Sequence, residues 1–324
     1  MGQRKTVIVD AMSGDNAPGE VVKGAVAGAA ACGCRLVLVG DSKVIKDIAG
    51  DGDYEAIHTD EVLTMDDAPS SVMREKKNSS LAVSVRLLSE DAGDALVSAA
   101  NTGALFTAAS LILRRFKGVR RAALGAVVPL NKPFLLLDSG ANPEMTADQL
   151  LTLAKMGEVY ASEVMGIKSP RIGLLNNGTE SGKGTEVCRE AYVMLRDLMP
   201  GFIGNIEGRD LTRGICDVVV TDGFTGNIAL KSIEGTAEFA FSTIRSTLGA
   251  SLRGKIAGAL VMRDLRALKQ RFNPSAYGGA PFIGISKPVI KAHGAANAQA
   301  IEKTISQALA YADAIEIMRN RDYK

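Results

Sequence analysis

Five short apolar runs in this chain each end in a turn rich in glycine, asparagine and aspartate, and each turn leads into a helical pattern. Val7-Ile8-Val9-Asp10 opens on Ser13-Gly14-Asp15-Asn16, and Leu96-Val97-Ser98 on Asn101-Thr102-Gly103. Leu135-Leu136-Leu137-Asp138 opens on Gly140-Ala141-Asn142, and Ile172-Gly173-Leu174-Leu175 on Asn176-Asn177-Gly178. Val218-Val219-Val220-Thr221 opens on Asp222-Gly223. Fully apolar runs alternating with helices are the pattern of parallel strands covered on both faces. The expected fold is a three-layer α/β/α, Rossmann-like one with a mostly parallel sheet. In such sheets ligands bind beyond the carboxyl ends of the strands. Glycine there lets a backbone approach an anion, and helix N-termini offer it free N–H groups.

Composition narrows the function. The chain has 324 residues, enough for one large α/β catalytic domain over 1–324. Net charge is +2 and aromatic residues are 5%, so a nucleic-acid partner is not expected. Two histidines and four unpaired cysteines, without CxxC spacing, offer no zinc site, and neither metal nor cofactor is expected. No signal-peptide pattern and no membrane-spanning stretch occurs.

Local signals place the elements. Pro18 suits the first turn of a helix reaching Ala31, Asp41-Ser42 can cap the next, and Ser79 a third. A helix from about Asn227 to Arg245 and a last one from about Ala295 to Arg319 are expected. The segment 248–274 reads as an amphipathic helical insertion, with Leu252, Ile256, Leu260, Val261 and Leu265 on its apolar face and Phe272 ending the pattern. Gly254 and Gly258 are expected to break it in two. Its basic polar face suits a membrane surface, a packed helix or a dimer seam.

Several turns can carry chemistry. Gly178-Thr179-Glu180-Ser181-Gly182-Lys183-Gly184 falls one residue short of a P-loop and lacks its magnesium-binding hydroxyl. Gly182 and Lys183 remain a candidate phosphate contact at a helix start, or a surface lysine on a turn. Asn227 can stabilise an oxyanion or simply cap a helix. Asp222 can accept a proton or serve as a turn cap. Arg209 can grip phosphate bidentately or form a surface ion pair with a neighbouring acid. His293 can be an acid/base group or a structural one. Arg74, Lys76, Lys77, Ser79 and Ser80 form a further anion cradle or a solvated face. No G-x-S-x-G elbow occurs, and Cys216, at the start of an apolar strand, is expected to be buried and inert.

These segments resemble the bacterial phosphate acyltransferase family of phospholipid synthesis (PlsX). The resemblance rests on 10–18, Asn101-Thr102-Gly103-Ala104, 138–142, Gly182-Lys183-Gly184, 202–210, 222–227, Tyr277-Gly278-Gly279-Ala280-Pro281 and Lys291-Ala292-His293-Gly294. Ser13 and Ala100 stand where that family has glycine. The resemblance implies a fold like those of phosphotransacetylase and isopropylmalate dehydrogenase. It implies that inorganic phosphate attacks the thioester of acyl-acyl carrier protein, giving acyl phosphate for a membrane glycerol-3-phosphate acyltransferase. It assigns catalysis to Lys183 and Asn227. It implies a substrate crevice of Asp10, Gly14, Asn16, Asn101, Thr102, Gly103, Asn142, Gly182, Arg209, Asp222, Gly223 and His293. It also implies a cytoplasmic homodimer, peripherally bound through 248–274 to the anionic inner face of the cell membrane. Rival readings are an acyl-CoA-dependent enzyme like phosphotransacetylase, and a non-catalytic membrane scaffold.

Overall fold

The computed structural model describes residues 4–130, 132–271, 278–321 and Tyr323. The readings placed on Phe272 and Tyr277 lie outside them. Strand β1 (Thr6–Asp10) leads to α1 (Gly19–Cys32), β2 (Arg35–Gly40), α2 (Ser42–Ala49) and β3 (Glu55–His58). Helix α3 (Ser80–Ser89), β4 (Ala95–Ser98) and α4 (Thr102–Ala108) follow. Two short strands, β5 (Ala123–Leu124) and β6 (Ala126–Val128), precede β7 (Phe134–Leu137) and α5 (Ala147–Glu163). Next come β8 (Ile172–Leu175), α6 (Glu186–Leu198), β9 (Phe202–Ile206), β10 (Val218–Val220) and α7 (Gly223–Gly249). Helix α8 (Leu252–Arg271), β11 (Ala280–Ile283), β12 (Val289–Lys291) and α9 (Ala298–Asn320) complete the chain.

The strands are mostly parallel, as expected, but they form two sheets. One has the order β3-β2-β1-β4-β12-β11-β5, the other β6-β7-β10-β8-β9. Only the pairings β11 with β12, β11 with β5, and β6 with β7 are antiparallel among the named strands. The chain crosses between the sheets at Gly125, whose N–H donates to the Pro281 carbonyl at 2.8 Å. The five turns expected along one sheet are therefore shared out. Those after β1 and β4 belong to the larger sheet, and those after β7, β8 and β10 to the smaller. Hydrophobic periodicity identifies strands but not their neighbours, so the division was not legible.

Both faces of each sheet are covered. All five residues of β1 are buried. Val7 and Val9 pack with α1 and α9, while Ile8 faces the opposite core under α3 and α4. In the smaller sheet Leu135, Leu137, Val218 and Val220 join the core shared with α5, whereas Phe134, Leu136 and Val219 face the base of α7. Helix α5 also packs on α9. One apolar core thus runs through both sheets, from Val7 to Val220.

Helix α7 behaves differently. It has 27 residues, about 40 Å at the usual rise, yet only Gly223 and Gly226 are buried. Helix α8 packs back on it. The two make a hairpin that stands off the body, so the amphipathic insertion is the second half of a longer projection. Here two expectations fail. Helix α7 begins before Asn227 and runs beyond Arg245, and α8 passes unbroken through Gly254 and Gly258; the break falls between Gly249 and Leu252. The reason is packing. A Cβ on Gly254 would lie 2.6 Å from the Leu248 carbonyl oxygen, and one on Gly258 3.5 Å from Leu248 Cβ. These glycines let α8 lie close against the end of α7.

Candidate functional site

The carboxyl ends of the two sheets face each other across a cleft of about 520 Å³. Its polar part brings Asp15, Thr102, Lys291, His293 and Gly294 from the larger sheet against Ser139, Gly140 and Asn227 from the smaller one. Its apolar part is lined by Leu124, Ala126, Val127, Val128, Leu130, Leu230, Ile233 and Ala237.

Each turn is built by local hydrogen bonds. Asn101 caps α4, its Oδ1 accepting from Gly103 and Ala104 N–H at 2.9 and 3.2 Å, while its Nδ2 donates to the Met65 carbonyl. This sets Thr102 at the cleft edge. Gly14 has φ +113°, and a Cβ there would lie 2.8 Å from Ala99 Cβ. Asp15 N–H donates to the Gly294 carbonyl at 2.8 Å, and Asn16 Nδ2 to the Ala295 and Ala296 carbonyls. The turn after β1 is thereby fastened to the turn before α9.

On the other wall, the buried Asp138 carboxylate accepts from five N–H donors: the backbones of Leu124, Gly140, Ala141 and Asn142, and the Asn142 side chain. Asp222 caps α7 by accepting from Thr225 N–H at 2.7 Å. Gly226 then lies so close to β7 that a Cβ would sit 1.9 Å from the Asp138 carbonyl oxygen. Asn227, the fifth residue of α7, is not its cap. It sits over Gly140 and lines the cleft, with its carboxamide free of any capping role.

Of the expected site residues, Thr102, Asn227 and His293 line the cleft. His293 Nδ1 accepts from Ala295 N–H at 3.2 Å, which leaves Nε2 as the protonated nitrogen of the neutral ring. Gly14, Asn16, Asn101, Gly103 and Asp222 shape the turns. Asp10 and Asn142 are corrections: both are buried, and their polar atoms are turned inward. Asp10 accepts from Ser98 Oγ at 2.7 Å, and burial pushes its carboxyl above the usual range. Asn142 donates to Asp138 and to the Ala122 carbonyl, both at 2.7 Å, and Gly223 N–H donates to the Asn142 carbonyl.

Three further residues stand apart from the cleft lining. Gly182 and Lys183 are exposed on the loop after β8, next but one to β7 in the sheet. Arg209 is two-thirds exposed and ion-paired to Glu207, the surface pairing weighed from the sequence. The Arg74–Ser80 cradle is divided: Lys76 donates to the Val62 carbonyl and Ser79 caps α3, while Arg74 and Lys77 are exposed. His58 sits at the surface between Ser42 and Asp60. Burial pushes the Cys216 thiol up to about 12, as suits an inert thiol.

Lys291 is the residue that sequence reasoning passed over. It is 7% exposed, ends β12 and lines the cleft. Its Nζ donates to the Ala99 carbonyl at 3.3 Å and to the Ala292 carbonyl. Desolvation lowers its pKa to about 8, against the opposing pull of Asp15 and Asp10. The available signal was a lysine closing an apolar strand, in a motif where only His293 drew notice.

A cleft at the strand ends that joins polar groups to an apolar arm is the ligand site of an α/β enzyme. The comparisons agree. The sequence matches the family described as fatty acid synthesis protein over residues 5–318. A phosphate acyltransferase of Oceanobacillus iheyensis is 45% identical over 303 residues, covering 93% of this chain and 91% of its own. One from Geobacillus thermodenitrificans is 44% identical over 306 residues, covering 93% of each. The chain belongs to this family. Among solved structures, a phosphotransacetylase from Streptococcus pyogenes aligns with a TM-score of 0.66 at 18% identity, over 97% of this chain and 95% of its own. A branched-chain phosphotransacylase from Enterococcus faecalis aligns at 0.57 and 15%, over 95% and 99%. At such identities they share the fold.

Proposed function

We propose that this chain transfers a fatty acyl group from acyl carrier protein to inorganic phosphate, giving acyl phosphate for phospholipid synthesis. Membership of its family makes it an acyltransferase acting on phosphate. The observation that carries the fatty-acyl reading is the two-part cleft: a polar end for phosphate and thioester, continuous with an apolar arm for the chain.

The chemistry needs little from the protein. By analogy with a phosphoryl group of second pKa about 6, phosphate is largely dianionic at neutral pH and attacks without a base. A phosphate oxygen bonds to the thioester carbon, and the carbonyl oxygen takes up the negative charge. The C–S bond then breaks, and the pantetheine thiol, of ordinary pKa about 8.5, leaves as thiolate. What remains is to hold two anionic partners together and to stabilise the oxyanion. Asn227 Nδ2, on the cleft wall above Gly140, donates to the oxyanion. Lys183, exposed on the loop after β8, meets the incoming phosphate-bearing substrates. Apart from Asn227 and Lys183, the strand-end turns hold this geometry.

The α7–α8 hairpin supplies the assembly. Leu252, Ile256, Leu260 and Val261 are exposed, with Leu265 half-buried, and Phe239 and Ile244 of α7 are also exposed. Among the described residues no helix is long and apolar enough to cross a membrane. Paired hairpins of a homodimer would cover part of this surface and present the rest to an anionic membrane, close to the glycerol-3-phosphate acyltransferase that consumes the product.

The test is acyl phosphate formation from phosphate with acyl-acyl carrier protein and with acyl-CoA in parallel. Turnover with the carrier-bound donor is expected; turnover with acyl-CoA alone overturns the donor. A scaffold without activity would tolerate Asn227→Ala and Lys183→Ala, whereas loss of turnover in folded variants excludes it.

A further inference from the structure

We propose that Lys291 is the cation that binds the inorganic phosphate nucleophile at the floor of the cleft. This rests on the phosphate acyltransferase reading and gives the acceptor a binding residue that the sequence did not single out. Three observations carry it. The side chain is more than nine-tenths buried yet lines the cleft. An ammonium has three donors, and the two described hydrogen bonds go to carbonyls, of Ala99 and Ala292. Among the described residues, no carboxylate lies within ion-pair distance of it.

A buried charge without a counter-ion costs several kcal/mol in general. Such an arrangement persists where an arriving anion supplies the missing charge. The carbonyls of Ala99 and Ala292 fix the ammonium in place, and its remaining N–H is left for a ligand. The other titratable groups around it are Asp10 beneath, Asp15 and His293 at the cleft edge, and Lys231 with Glu234 on α7. Lys231 and Glu234 pair with each other at 2.7 Å, so Lys231 brings no free charge. The two aspartates counter only part of the lysine's desolvation, which still holds its pKa near 8. Attraction for phosphate should therefore weaken above pH 8.

The pantetheine phosphodiester of the donor carries the same chemistry. Commitment to inorganic phosphate follows from depth, since the donor's phosphodiester lies a full pantetheine length from the reacting thioester.

The experiment compares wild type, Lys291→Gln and Lys291→Arg. Phosphate binding is followed without donor by 31P line broadening, and KM is measured separately for phosphate and acyl donor between pH 6.5 and 10. For Lys291→Gln, KM for phosphate should rise at least about tenfold, and the line broadening should disappear, while KM for the donor stays within about twofold. In wild type, KM for phosphate should climb above pH 8; in Lys291→Arg it should stay level to pH 10. A purely structural lysine would lower the melting temperature of Lys291→Gln and leave KM for phosphate and its pH profile unchanged, which overturns the proposal. A rise confined to KM for the donor overturns it too. If Lys291→Gln does not fold, the Lys291→Arg profile decides alone: a climb like that of wild type overturns the assignment. Wild type that broadens the phosphate signal but makes no acyl phosphate would sink the enzymatic reading and leave the binding site standing.

Discussion

Lys183 and Lys291 each follow an apolar strand run at the carboxyl end of a sheet, yet they occupy opposite environments. Lys183 is exposed on a glycine-rich loop. Lys291 is clamped by two carbonyls on the cleft floor. The contrast extends to their surroundings. The buried half of the site, with Asp10, Asp138, Asn142 and Lys291, is a set of internal hydrogen bonds that holds the cleft in shape. The exposed half, with Lys183, Arg209 and the α7–α8 hairpin, is available to partners from solution. Changes to Asp10, Asp138 and Asn142 should cost stability first, whereas changes to Lys291 or in the exposed half should cost function.

The sharpest way to break that division is Asp138→Ala. Five N–H groups lose their acceptor, some of them buried, at about 1–3 kcal/mol for each group that water cannot reach. A loss of about 4 kcal/mol in urea unfolding is expected; under about 1 kcal/mol would mean that the turn is not held by this carboxylate. Asn227→Ala tests the boundary between the halves. Its carboxamide lines the cleft without a capping role, so kcat should fall about a hundredfold, or about 3 kcal/mol in barrier, at an unchanged unfolding midpoint. A loss in stability with normal kcat would move Asn227 into the structural set.

Lys291 gives a pH signature that Lys183 should lack. Its folded pKa, about 8, lies below the ordinary 10.5. Below pH 8 it is charged in both states and burial penalises the folded one. Between 8 and 10.5 the unfolded chain retains this proton and the folded one releases it, so the group's contribution to stability rises with pH through that window. The stability of wild type relative to Lys291→Met should rise by roughly 2–3 kcal/mol from pH 8 to 10.5. A constant difference refutes the lowered pKa.

The smallest stability effects belong to the exposed half. Lys183→Ala should leave stability within about 0.5 kcal/mol while turnover falls. Leu260→Glu should also fold normally and lose co-sedimentation with anionic vesicles. Unchanged vesicle binding would assign the exposed face of α8 to the dimer seam instead.

Much of the local structure was legible. Asp41 and Ser79 cap helices where their side chains and spacing indicate, since a cap needs only the next three residues. Asn227 was half legible: its place near the start of α7 follows from the turn, but its freedom depends on Asp222 taking the cap. Asp10 and Asn142 were misread as ligand contacts because polar residues at strand ends look alike in sequence whether they face the cleft or the protein.

By itself, the sequence determined the strand–turn–helix alternation, the amphipathic character of the segment around Leu260 and the family to which the chain belongs. These depend on side-chain periodicity and on turns a few residues long. Only the tertiary structure decided that the strands split into two sheets, that the cleft lies between their carboxyl ends, and that Lys291 rather than Lys183 stands on its floor. Those outcomes depend on which segments meet across long stretches of chain, Ala99 with Lys291 and Leu124 with Asp138 among them. No local pattern records whether a lysine at the end of such a meeting is left in water or buried.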